Sequence, residues 1–215
     1  MITFLLKKPT SSPWTSADGK DGKDRKDIIM SLIEKNGGYR RLHSFQQAQL
    51  IYDMTVRFCE LYVSSKSRTN DQMVQAARSG VQNIAEGSMA SATSKKTELK
   101  LTNVARASLE ELYLDYEDHL RQHKLQLWKK DDSRRKEIAE KRFADFSEIQ
   151  YWINSQHAIT KRPRKEIAAN TALVLIGLTS FLLNRQLARL SADFEQNGGF
   201  TEKLYRERSS CRKKI

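Results

Sequence analysis

Apolar residues recur three and four positions apart through four long stretches of this 215-residue chain, and alternating patterns of comparable length are absent. That spacing lays one stripe along an α-helix and excludes a fold built on half-buried strands. Nine glycines and three prolines are too few for the many turns of a sheet-rich domain. The expected fold class is all-α, and the length suits one domain able to bury a sizeable core.

Helix one is predicted over about 44–63, with Ser44 as N-cap. It carries two stripes: Phe45, Ala48, Tyr52, Thr55, Cys59 and Tyr62, then Ile51, Met54, Phe58 and Leu61. A helix apolar around most of its girth needs two partners, the second of which is read as a subunit. Helix two is predicted from 70 or 71 to Glu86, with Gly87 as the residue that ends it. Gly80 lies inside it at a cost of about 1 kcal/mol against Ala, so close packing is expected there. Helix three is predicted from Ser94 to His123. One or two short helices are expected in 124–165, ending before Pro163.

Helix four is predicted over 166–196. Its centre, ALVLIGLTSFLL at 172–183, holds twelve uncharged residues. A membrane span needs about twenty, so the run reads as a buried core helix, and no membrane partner is expected. Asn197-Gly198-Gly199 stops it, much as Asn36-Gly37-Gly38 stops a short helix predicted at 28–35. The organisation expected is a flexible basic extension (1–38), a helical body (39–197, with a charged insert at 124–165) and a basic C-terminal tail (198–215). The start, MITFLLKK, has the reverse order of a signal peptide, and two widely spaced cysteines fit a reducing compartment, so a cytoplasmic location is expected.

The formal net charge is +12. Residues 45–120 carry −2, whereas 121–142 carry +5, 161–165 carry +4 and 200–215 carry +4. The excess therefore lies outside the best-patterned helices. Such clusters suit polyanionic partners. The candidate phosphate contacts are Arg121, Lys124, Lys129, Lys130, Arg134 and Arg135 in the first cluster, and Lys161, Arg162, Arg164 and Lys165 in the second. Arg212, Lys213 and Lys214 belong to the third, within 206–214. Trp128 among the first set is a candidate base-stacking residue. No folded nucleic-acid module signature is present, so binding is expected to be backbone-driven, salt-sensitive and weakly sequence-specific.

Other constellations point away from chemistry. Asp115, His119 and His123 share one helix face, as metal ligands would, yet the chain offers no second cluster, and they read as solvent-exposed. No metal or cofactor is expected. No nucleophile elbow, phosphate loop or facing carboxylate pair occurs, so the chain is not expected to be an enzyme. Glu86, in the last turn expected for helix two, is disfavoured by the helix dipole, which suggests an ion pair with Arg78 or Arg106.

The segments Phe45-Gln46-Gln47-Ala48, AARSGVQNIAEGS (76–88) and ARASLEEL (105–112) resemble a bacterial four-helix-bundle family. That family includes proteins encoded in 23S rRNA intervening sequences and the accessory variability determinants of diversity-generating retroelements. The likeness spans 39–123, with Arg78, Asn83, Glu86, Gly87 and Arg106 in its motifs. Residues 163–208 resemble the suffix extension of some members. The resemblance implies an antiparallel up-down four-helix bundle, here with one or two extra short helices between helices three and four. It also implies a homo-oligomeric ring, typically a pentamer, and, in the retroelement branch, binding to nucleic acid and a reverse transcriptase. RNA is preferred over DNA on that ground. The rival expectation is a protein-interaction adaptor whose charge serves an acidic partner or solubility.

Overall fold

The structure, a computed structural model, describes residues 38–212. These are all-helical: a 3-10 turn at Gly38–Arg41 leads into α1 (His43–Tyr62), α2 (Arg68–Ala90), α3 (Lys95–Gln122), α4 (Ser133–Lys141), α5 (Phe146–Thr160), α6 (Arg164–Asn197) and α7 (Phe200–Arg212). The extension at 1–37, with the helix expected at 28–35, lies outside the described residues.

Four long helices share one core. α2 packs on α1 and α3, and α6 packs on α1 and α3. At the level of Thr55 the Tyr116 hydroxyl crosses the core to donate to the Thr55 hydroxyl at 3.1 Å, so the largest polar group in the centre has its partner. The indole of Trp152, with Ile138, Phe143 and Ile149, extends the same core under α4 and α5.

Both stripes of α1 pack into the core of this chain, with Tyr52 and Tyr62 partly buried. Ile51, Met54 and Phe58 are covered as fully as Ala48 and Cys59, and only Leu61 stands half exposed. The second partner that its pattern demands is α6, so this pattern requires no subunit.

α2 starts at Arg68, capped by the Ser67 hydroxyl, and runs past Gly87 to Ala90. The reading of Gly87 as a helix stop is therefore corrected. The residue is buried mid-helix, where a Cβ would lie 3.4 Å from Leu101 Cβ and 3.5 Å from the Glu98 carbonyl. Its lack of a side chain brings α2 against α3. Gly80 does the same more tightly, since a Cβ there would sit 2.9 Å from Leu109 Cδ2.

α3 begins at the expected Ser94, whose hydroxyl accepts from the Thr97 amide. The two short helices of the insert are present. α6 buries every residue from Glu166 to Ile176. Among the described residues it is the one helix long and apolar enough to cross a membrane, and 72% of that apolar window is buried inside the protein. The C-terminal tail is helical over Phe200–Arg212.

Candidate nucleic-acid interface

Among the described residues, three helices end on a basic residue in the left-handed region, where glycine or asparagine is usual. They are Lys124 (φ 54°) after α3, Arg142 (φ 45°) after α4 and Lys161 (φ 58°) after α5. At the first, Leu125 N–H donates back to the Leu120 carbonyl at 2.9 Å, closing α3 in a Schellman-type turn. Positive side chains at these C-termini are favoured by the helix dipole, which offsets part of the left-handed cost.

The chain leaving α3 is then pinned to the first turns of α6. Gln126 N–H donates to Glu166 Oε2 at 3.3 Å, and Trp128 N–H donates to Asn170 Oδ1 at 2.8 Å. Asn170 Nδ2 donates to the Gln126 carbonyl at 2.8 Å. Asn170 is 1% exposed, so one buried amide fixes two backbone groups of this segment.

This pinning joins the first two basic clusters at one end of the molecule. Arg164 opens α6 and donates to Asn154 of α5 at 2.8 Å. Lys165 is close enough to help hold the His119 imidazole neutral. Lys124, Lys129, Lys130 and Lys161 are exposed there, and among the described residues no acidic group lies within salt-bridge reach of them. Arg121 pairs with Asp118 at 2.7 Å, and Arg162 lies 4.0 Å from Glu166. Arg57, which sequence reasoning passed over because it sits alone in α1, lines a small cleft with Arg164 at this end.

Two candidates in the first cluster are corrected. Trp128 is 3% exposed and cannot stack on a base. It lies against the edge of Trp152, with ring centroids 6.1 Å apart, and its backbone is held by Asn170. Arg134 lies over the Trp128 ring, 4.1 Å from its centroid, and grips Asp132 with both Nε and Nη2 at 2.9 and 2.7 Å. That grip holds the Asp132 carboxyl below its ordinary range and raises Arg134 further. A planar guanidinium sandwiched in this way locks the turn into α4 and is not free for phosphate. Arg135 is half-buried.

The third cluster lies apart from these two. Lys95, at the start of α3, lies 3.7 Å from Asp193 near the end of α6, while the Gln126–Glu166 contact marks the other end of the same pair. α7 follows that distant end, where Arg206 Nη2 donates to the Asn197 carbonyl at 2.7 Å. The Arg212 side chain, Lys213 and Lys214 lie outside the described residues.

Of the motif residues, Gly87, Asn83 and Arg106 make packing or hydrogen-bond contacts. Asn83 Nδ2 donates to the Ser79 carbonyl at 2.9 Å, and Ser108 of α3 reaches the Ser79 hydroxyl at 3.1 Å. Arg106 donates to Asn103 at 3.0 Å. Glu86 and Arg78 are both exposed, and among the described residues no ion pair joins Glu86 to Arg78 or Arg106. The expected pair is thus corrected: because α2 continues to Ala90, Glu86 is not at the helix end and needs no partner. His119 is also corrected. It is buried, 7% exposed, edge-on to Phe58 at 4.8 Å and stacked on exposed His123 at 4.1 Å. Desolvation first, then His123 and Lys165, lowers its pKa to about 4. Among the described residues no three His, Cys, Asp or Glu side chains are grouped to hold a metal ion.

No family model, curated protein or solved structure matches this chain.

Proposed function

We propose that this is a non-enzymatic nucleic-acid-binding protein that grips phosphates through the end of the molecule at the α6 N-terminus. The observation that carries this reading is the convergence there of two basic clusters far apart in sequence, with four lysines left without acidic partners. A solubilising charge needs no such convergence. The α6 N-terminal dipole adds to the positive field.

The scaffold behind this surface is read as an antiparallel up-down four-helix bundle of α1, α2, α3 and α6. Its support is the order of the contacts. Ser44 bonds Gln186 at 3.3 Å, which places the start of α1 beside the later part of α6. Gly80 faces Leu109 and Gly87 faces Leu101, which runs α2 against α3. RNA as the preferred ligand, assembly as a pentameric ring, a reverse transcriptase partner and a cytoplasmic location remain proposals from the family resemblance and the sequence. Light scattering at micromolar concentration giving a monomer mass would exclude the ring.

The test compares two charge-neutralised variants. Replacing Lys124, Lys129, Lys130 and Lys161 by Ala should weaken binding to single-stranded and duplex RNA and DNA by at least tenfold at low salt. Replacing Lys96 and Lys100, exposed at the start of α3 near the other end, should change it less than twofold. Equal losses from both would contradict a localised interface, and no binding by the wild-type chain even at low salt would favour the adaptor with an acidic partner.

A further inference from the structure

We infer that the cavity between the α1–α2 turn and the last turns of α3 receives one unpaired nucleobase bearing an exocyclic amino group. This rests on the nucleic-acid reading and names what that end of the molecule recognises besides phosphate.

The cavity holds about 280 Å³ and is lined by Tyr62, Asp115, Asp118, His119 and His123, with Ser and Thr hydroxyls on the α1–α2 side. That volume lies at the lower edge of ligand pockets and suits one planar ring. His119 lines it while nine-tenths buried, and its Nε2 has no hydrogen-bond partner. That nitrogen is closed off from solvent, so His119 contributes the wall of its ring and not a polar contact. His123 is held by its Nδ1 contact with the His119 carbonyl at 2.9 Å and offers an exposed imidazole as a stacking surface.

The charge within the cavity selects the part of the ligand that enters. Asp118 is engaged by Arg121, but Asp115 is half-buried and, among the described residues, has no cation within salt-bridge reach. Burial raises its pKa, with Glu111 and Asp118 adding to the effect. A carboxylate repels phosphate and accepts from an amino group, as Asp and Glu do from the cytosine N4 amino group. Phosphates would then lie outside, on Lys124 directly after His123, while the base edge meets Asp115. Cytosine and adenine satisfy this edge. Uracil offers a single N3–H flanked by two carbonyl oxygens that the carboxylate repels, and is disfavoured.

The experiment measures fluorescence anisotropy of the full chain with short labelled oligo-C, oligo-A and oligo-U RNA at one salt concentration. Oligo-C and oligo-A are expected to bind about fivefold or more tighter than oligo-U. Asp115→Asn, which can donate to uracil as well as accept, should collapse that preference. His123→Ala, at an exposed position, should weaken oligo-C and oligo-A and leave oligo-U unchanged. Near-UV circular dichroism checks that both variants keep their fold. Equal binding of all three oligomers by the wild-type chain would overturn the base pocket and leave the phosphate interface standing. Loss of binding to all three would overturn both.

Discussion

Asn170→Ala should unmoor the segment that carries Lys124, Lys129 and Lys130. The wild-type side chain accepts from Trp128 N–H and donates to the Gln126 carbonyl, both at 2.8 Å, from a position 1% exposed. Its third bond, to the Glu166 carbonyl one turn back, repeats what the helix already provides. Truncation therefore strands two backbone groups. A buried group left unpaired costs about 1–3 kcal/mol, and the Gln126 carbonyl is only partly buried, so the expected loss is about 2–4 kcal/mol. Urea unfolding followed by tryptophan fluorescence reads this directly, because Trp128 and Trp152 are both in the affected region and should shift to the red before the global transition. Asn184→Ala, an exposed position on the same helix, should cost less than about 0.5 kcal/mol. A loss below about 0.5 kcal/mol for Asn170→Ala as well would refute the anchoring role.

Two glycines in helices should respond oppositely to alanine. Gly80→Ala places a Cβ 2.9 Å from Leu109, itself fully buried, and overpacking of about 1–3 kcal/mol should exceed the helix-propensity gain and lower the melting temperature. Gly177→Ala meets no atom within 4 Å and should stabilise by about 0.5–1 kcal/mol, so a fall in its melting temperature would contradict the packing. Glu86→Ala should leave the melting temperature unchanged, and a fall of several degrees would reveal a partner for that carboxylate. Stability should also fall as pH drops below about 6.5. The folded chain keeps His119 neutral down to about pH 4 while the unfolded chain takes up the proton, so the unfolded state is favoured across that interval, by up to about 1.4 kcal/mol per pH unit. His119→Gln should flatten that part of a urea-midpoint profile; an unaltered slope would show that His119 is not the group responsible.

The long helices were legible because their apolar spacing is a local property. Ser94 announced the start of α3, and Gly80 announced a close approach. Gly87 misled because a glycine after an amphipathic run reads as a stop, while its actual contact, Leu101, lies on the next helix. The ends of α3, α4 and α5 were blurred for a related reason: Lys124, Arg142 and Lys161 adopt the left-handed conformation without the residue type that usually signals it. Trp128 shows the deeper limit. Surrounded by cations in sequence, it reads as an exposed stacking platform, yet Asn170 on α6 pulls its backbone inward and Arg134 roofs its ring. No local pattern encodes a hydrogen bond between segments so far apart. His119 was misread in the same way, since its burial depends on Phe58 of α1. The convergence of the two basic clusters, which carries the functional reading, became visible only when Gln126 and Trp128 met the first turns of α6.

Whether the α6 N-terminal end binds nucleic-acid phosphates is decided by the salt dependence of binding from about 50 to 300 mM. With the four unpaired lysines each displacing a counterion, the logarithm of the affinity for a single strand should fall with the logarithm of salt with a slope of about −3 or steeper. Removing Lys129 and Lys130 should make that slope shallower by about 1.4. A slope near zero, or one that these two substitutions leave unchanged, would contradict the account.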